Sequence, residues 1–395
     1  SIIINLGFLG IFKYYNFFAT SFTELIHGFG FQVNPLLIKV ILPVGISFYT
    51  FHGLSYVIDI YYKRIKAETN FIDYSLFVSY FPLLVAGPIE RATHLLPQVK
   101  VKREFNFEKA KEGIYQIIWG LVKKVVIADT CANYANEIFN HYNSMNSLSL
   151  ILGAVYFAFQ IYGDFSGYSD IALGTSKLFG IDLLKNFNYP YFSRDIAEFW
   201  RRWHISLTTW FRDYLYIPLG GSKGSKWFKV RNTFIIFLVS GFWHGASWTF
   251  IAWGFINALY FIPLLLLKRN RNNIEEFELG LNFSSLRIIF NILITFIMTC
   301  FAWIFFRAKT INDAILYIKR MVTDMRFSEQ YFSIERYSNE ILLLLLLFVI
   351  VEWNSRTKIE PISGKYSWLK LGLCLSAIVA LGVFSDYKEF IYFQF

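Results

Sequence analysis

The stretch LVSGFWHGASWTFIAWG, residues 238–254, places one imidazole, His244, in the middle of an otherwise apolar or small run. Imidazole titrates near neutral pH and can act as general base or proton relay. An ionisable group in such surroundings is costly and ordinarily faces a cavity or a partner. A functional role therefore outweighs the alternative of a core ring bonded to a helix carbonyl, and Gly241, Gly245 and Ala246 permit close backbone approach beside it. His204 stands 40 residues earlier, in WRRWHIS. The two preceding arginines resist its protonation by like charge, and a neutral imidazole is what a general base requires. A ring at the membrane interface fits its spacing equally well.

Other groups carry weaker signals. QIYGDFSGYSDIALG, residues 160–174, sets Asp164, Ser166, Ser169 and Asp170 after an apolar span. The two carboxylates either build a polar funnel, hold an arginine, or lie solvated at a helix end, and sequence alone favours the last. His52 and Asp59, near Gly45 and Gly53, read first as close helix packing. GGSKG (220–224) satisfies the hydrolase-elbow pattern without a preceding strand, and GSKGSK lacks the lysine a phosphate loop needs after its second glycine. There is no HExxH and no Cys/His cluster, so no metal site is expected. Cys131, Cys300 and Cys374 are isolated and read as core residues.

The elements that must position these groups belong to a membrane. Of 395 residues, 55% are hydrophobic and only 17% charged, outside the range of soluble domains. Apolar windows recur near 2–20, 36–60, 113–128, 148–163, 232–267, 285–306, 339–353 and 367–385, and roughly 17–25 such residues span a bilayer. The excess of 38 Lys+Arg over 28 Asp+Glu sits in short loops, which signals topology rather than nucleic-acid binding. Basic loops at 63–66 and 100–111 are expected on the cytoplasmic side, with 71–90, broken by Pro82, Gly87 and Pro88, entering and leaving as a split element. Loop 129–147, without Lys or Arg, is the expected outer loop. The aromatic, Arg-rich segment 199–221 suits an amphipathic interfacial element. Residues 232–267, bracketed by Arg231 and Lys268, predict a hairpin of two legs, with His244 roughly 20 Å inward at 1.5 Å per residue. A mixed-charge loop from 308 to about 338 precedes two further spans. Glycine and proline are taken mostly to mark helix breaks.

PVGISFYTFHGLSYVIDIYY, FPLLVAGPIERATHLLPQ, QIYGDFSGYSDIALG, NFNYPYFSRDIAEFWRRWHISLTTWFRDYLYIPLGG, SGFWHGASWTFIAWG and FAWIFFRA resemble, in order, blocks of the membrane-bound O-acyltransferase family. The nearest resemblance is to the bacterial branch of alginate O-acetylation and teichoic acid D-alanyl transfer. The resemblance implies an all-α integral membrane fold, a ring of tilted helices with re-entrant elements around a central tunnel. It also implies one polytopic domain over 1–395, with a catalytic core over 1–321 and C-terminal membrane segments over 322–395. Further segments precede the matching stretch in the family, so the chain is expected to lack its true start. His244 carries over as the principal catalytic residue and His204 as its partner near the cytoplasmic mouth. Arg201, Arg202, Trp203, Asp164 and Asp170 are the expected substrate contacts. The implied reaction moves an acyl group, most simply acetyl, from a cytoplasmic thioester such as acetyl-CoA or an acyl carrier protein to a polysaccharide hydroxyl. No tightly bound cofactor is implied. The expected partners are membrane lipid, an extracytoplasmic acyltransferase and the polysaccharide acceptor, and the expected location is the bacterial cytoplasmic (inner) membrane. A proton-coupled transporter and a non-catalytic scaffold are the rival readings.

Overall fold

A computed structural model describes residues 1–39, 43, 45–85, 87–275, 277, 283–325, 340–356, 361–385 and 390–391. Among these residues the regular structure is helical, with no strand. The helices are α1 (Ile2–Gly28), α2 (Ile46–Tyr61), α3 (Phe71–Ser79), α4 (Ala92–Lys100), α5 (Phe107–Leu121), α6 (Asp129–Asn140), α7 (Ser147–Leu178), α8 (Ile196–Arg202), α9 (Ile205–Phe211), α10 (Lys226–His244), α11 (Trp248–Leu266), α12 (Phe283–Arg307), α13 (Ile311–Thr323), α14 (Glu340–Ser355) and α15 (Ser367–Leu381). Four of them, α1, α7, α11 and α12, are long and apolar enough to cross a bilayer, and α14 and α15 are shorter apolar helices. Parts of four expected features lie outside the described residues: Val40, Ile41, Leu42 and Val44 in the 36–60 window, Ala86 in the 71–90 element, 326–338 in the 308–338 loop and Asn339 in the 339–353 window.

The centre is α7, 32 residues long, about 48 Å at 1.5 Å per residue. Asn146 starts it by accepting from the Ser149 amide at 2.9 Å. The expected span ended at 163, but the helix runs unbroken to Leu178. Its glycines are contact surfaces rather than breaks. Gly167 and Gly174 face Gly120 and Gly113 of α5, and a β-carbon on any of the four would meet the opposite glycine's carbonyl. Small residues that bring helix backbones together are the usual glue where lipid supplies no hydrophobic drive.

The expected outer loop 129–147 is also mostly helix. A π-helical turn, Val122–Ala128, carries α5 directly into α6, leaving 141–146 as the connection. That turn presents consecutive lysines to α7. Lys123 Nζ lies 3.0 Å from Asp170 and 3.3 Å from Glu352 of α14. Lys124 Nζ lies 2.7 Å from both Asp129 and Asp164. Asp164 and Asp170 are therefore not solvated at a helix end; they sit inside a buried helix, each with a cation supplied from another element. Uncompensated, such carboxylates would be expelled or neutralised.

Residues 71–90 are split as expected: α3 stops before Tyr80, a 3-10 turn spans Phe81–Leu83, and the described residues between that turn and α4 form no further helix. The 232–267 hairpin is formed by α10 and α11, folded at Gly245–Ser247. Gly241 lies against the Phe250 carbonyl and Gly254 against that of Phe237, so the two legs touch backbone to backbone. The segment 199–221 consists of α8, α9 and a π-helical turn, Arg212–Tyr216, interrupted at His204.

Candidate functional site

His244 is the last residue of α10, and Gly245 (φ −168°, ψ 155°) leaves the helix in extended conformation. Ser247 then starts α11, its hydroxyl accepting from the Thr249 amide at 3.3 Å. The fold point of the hairpin is thus a buried helix end with an imidazole on it. Aromatic rings enclose that imidazole: Trp253 and Phe306 at 5.1 Å and Trp243 at 4.8 Å between centroids. Gly245 is required here, because a β-carbon would enter the Phe250 ring.

His204 sits at the junction of α8 and α9 with φ 42° and ψ 54°, the left-handed region. For a non-glycine residue this conformation costs of order 1–3 kcal/mol and persists only where neighbours fix it. They do: the Ile205 amide donates to Asn186 O (2.9 Å), the Asn188 amide to Arg202 O (3.0 Å) and the Thr208 amide to His204 O (3.0 Å). Ser206 and Ser169 hold the Asn186 side chain in turn. The His204 ring lies edge-on to Phe165 (4.6 Å) and 5.9 Å from the Trp243 ring. Both of its ring nitrogens are buried, and neither has a hydrogen-bond partner among the described residues.

Both histidines line one cavity of about 530 Å³. Its walls include Trp200, Trp203, Phe237 and Phe261, and its polar lining includes Arg201, Arg212, Asn270 and Arg271. The lining therefore combines apolar rings, two imidazoles and three arginines. Trp203 is wall, stacked on Phe199 and packed 5.1 Å from Trp303. Arg201 lines the cavity while donating to the carbonyls of Asn270 and Asn273, both at 2.8 Å.

The remaining expected contacts lie elsewhere. Arg202 pairs with Glu198 at 2.9 Å, and the same carboxylate receives Arg194. Asp164 is held by Lys124. Asp170 lines a separate small polar pocket of about 70 Å³ with Gln116, Lys123 and Tyr162. Sequence reasoning missed Lys123 and Lys124, which hold the carboxylates of α7, Glu198, which holds Arg202 beside His204, and Lys13, which donates to the carbonyls of Trp243 and His244. The visible signal was charge inside otherwise apolar or aromatic windows; Glu198 pairs locally with Arg194 and Arg202, whereas the lysines reach Asp164, Asp170, Glu352 and the carbonyls of Trp243 and His244 in distant parts of the chain.

A helical fold with four helices long and apolar enough to cross a bilayer, and with two buried imidazoles lining one cavity, defines a multi-pass membrane protein. The chain belongs to the membrane-bound O-acyltransferase family, whose model matches residues 62–312, a stretch that contains both histidines. Over 315 residues it is 42% identical to a probable alginate O-acetylase AlgI of Pseudomonas aeruginosa, covering 79% of this chain and 58% of that protein. It is 38% identical over 347 residues to a peptidoglycan O-acetyltransferase of Helicobacter pylori (81% and 63%). Identity to a teichoic acid D-alanyltransferase of Bacillus subtilis is 28% over 278 residues (67% and 69%). The chain thus spans about three fifths of the length of the alginate relative of P. aeruginosa.

Proposed function

We propose that the protein transfers an acyl group, acetyl in the first instance, from a cytoplasmic thioester to a hydroxyl of a cell-envelope or extracellular polysaccharide, directly or through an extracytoplasmic partner. The observation that carries this reading is the single cavity shared by His204, His244 and the arginines. A hydroxyl is a weak nucleophile at neutral pH and needs a base within hydrogen-bond reach. His244 takes the hydroxyl proton as oxygen attacks the thioester carbonyl. The C–O bond forms, the C–S bond breaks, and the proton passes from the imidazole to the departing thiolate. His204 positions the donor or the acceptor. Arg201 and its neighbours Arg212 and Arg271 suit the phosphates of coenzyme A or of a carrier's pantetheine arm. The aromatic walls exclude hydrolytic water.

Acetyl is favoured over D-alanyl because the more similar relatives are named O-acetylating enzymes. Basic loops then face the cytoplasm, and the bacterial inner membrane is the setting. The reading is tested with the purified protein in vesicles, supplied with labelled acetyl-CoA and a polysaccharide acceptor. His244→Ala is expected to lower acetyl transfer by about 10²–10⁴-fold with membrane insertion intact, and His204→Ala to lower it as well. Undiminished transfer in His244→Ala overturns the role of that residue. Thioester-independent solute uptake by the wild type would instead indicate a transporter.

A further inference from the structure

The N-terminal helix carries a lysine inside an apolar span, an expensive placement that ordinarily has a partner or a task. Lys13 of α1 lies in a π-helical turn, Gly10–Tyr14. Such turns interrupt a regular helix and frequently mark functional positions. The Lys13 ammonium donates to the carbonyl of Trp243 at 2.8 Å and to that of His244 at 3.3 Å, and it reaches Ser47 Oγ of α2 at 3.4 Å. Its neighbour Tyr14 donates its hydroxyl to the carbonyl of Phe242 at 3.1 Å, with the two rings stacked at 4.2 Å. One turn of α1 therefore addresses three successive carbonyls, those of the last three residues of α10. On the far side of the fold point, Trp248 Nε1 donates to Ser21 Oγ at 3.3 Å.

The last carbonyls of a helix have no partners within it, and they carry the negative end of its dipole. At the end of α10, where Gly245 departs at once in extended form, Lys13 and Tyr14 supply both the missing donors and a compensating cation. We infer that Lys13, assisted by Tyr14, is a positioning residue for His244: it fixes the final turn of α10 and hence the direction of the imidazole. This rests on the proposal that His244 does the chemistry. Fixing a reacting group matters steeply, because a displacement of about 1 Å can cost about 10²-fold in rate.

The test compares Lys13→Met, Lys13→Arg and Tyr14→Phe in the full chain in vesicles, measuring kcat and KM for acetyl-CoA. Carbethoxylation of His244 by diethyl pyrocarbonate is followed by mass spectrometry, with the partly exposed His94 as internal reference. Lys13→Met is expected to lower kcat by about 10-fold or more with KM within about twofold, and to change the His244 carbethoxylation rate severalfold relative to His94. Lys13→Arg, which keeps charge and donors, is expected to restore most of both, and Tyr14→Phe to show a smaller effect in the same direction. The inference is overturned if Lys13→Met keeps the wild-type kcat and His244 reactivity, or if its loss matches loss of folded protein and Lys13→Arg does not rescue it. Should the wild type itself transfer no acetyl group, the acyl-transfer reading fails separately, while carbethoxylation still decides whether Lys13 sets the His244 environment.

Discussion

At the scale of residues, burial of charge is managed by pairing rather than avoided. Glu198 takes two arginines, Arg194 just before α8 and Arg202 at its last position, and its amide is in turn capped by Asp195 at 2.7 Å. The short helix leading to His204 is thus pinned by a charge cluster of its own. Arg202, which sequence alone suggested for substrate, is consumed by this pairing. A comparable pair outside the spans is open to titration. His94 of α4 contacts Glu90 at 2.8 Å, and that hydrogen bond raises the imidazole above its ordinary range despite partial burial. A raised folded-state value means that the pair stabilises the protein fully below the ordinary imidazole range, and that this contribution is lost as pH rises through the raised value. Thermal unfolding of detergent-solubilised wild type and His94→Gln should therefore differ most under mildly acidic conditions and converge as pH rises past neutrality. A difference that is constant or grows with pH would contradict the assignment.

At the scale of elements, the sequence showed some helices well and concealed others. The α10–α11 hairpin was legible because Arg231 and Lys268 bracket a run with no other charged side chain than His244. Both histidines were legible through their surroundings. The length of α7 was not, since Asp164 and Asp170 read as solvent-facing until Lys123 and Lys124, on another helix, are placed against them. The same holds for Gly113, Gly120, Gly167 and Gly174: a glycine in an apolar run signals a break or a close approach, and only the facing helix decides which. In the hairpin that logic yields a prediction. Gly241→Val would drive a β-branched side chain into the Phe250 carbonyl, a backbone atom that cannot rotate away. Overpacking of this kind costs about 1–3 kcal/mol, and here it also displaces the helix end that carries His244. Both the thermal midpoint and acetyl transfer should fall in Gly241→Val, whereas Gly372→Val in α15, where a β-carbon meets nothing within 4 Å, should leave both near wild type. Equal effects at the two sites would remove the close-approach argument.

At the scale of the whole molecule, the two ends of the chain are tied to different parts of the core. The first helix seals the hairpin end at His244, while the last residues complete the charge system of α7. Glu352 of α14 accepts from Tyr162 at 2.5 Å and faces Lys123. The amide of Val383 donates to Val125 O at 3.0 Å, within the π turn that holds both lysines. The amide of Ile391 donates to Asp164 Oδ2 at 2.6 Å, and Phe390 packs 5.3 Å from the Tyr168 ring. Segments beyond 321 are thus bound to the core by buried polar contacts. A hydrogen bond to a charged group contributes about 1.5–3 kcal/mol, so removing residues 382–395 should lower the unfolding free energy in detergent by at least that amount. The partner can be tested directly. If the tail acts through Asp164, truncation and Asp164→Asn should be non-additive, as expected for groups in contact, with truncation costing less once the carboxylate has gone. Strictly additive losses would mean that the tail stabilises the protein through its apolar packing on Tyr168 and Phe165, and that Lys124 alone satisfies Asp164.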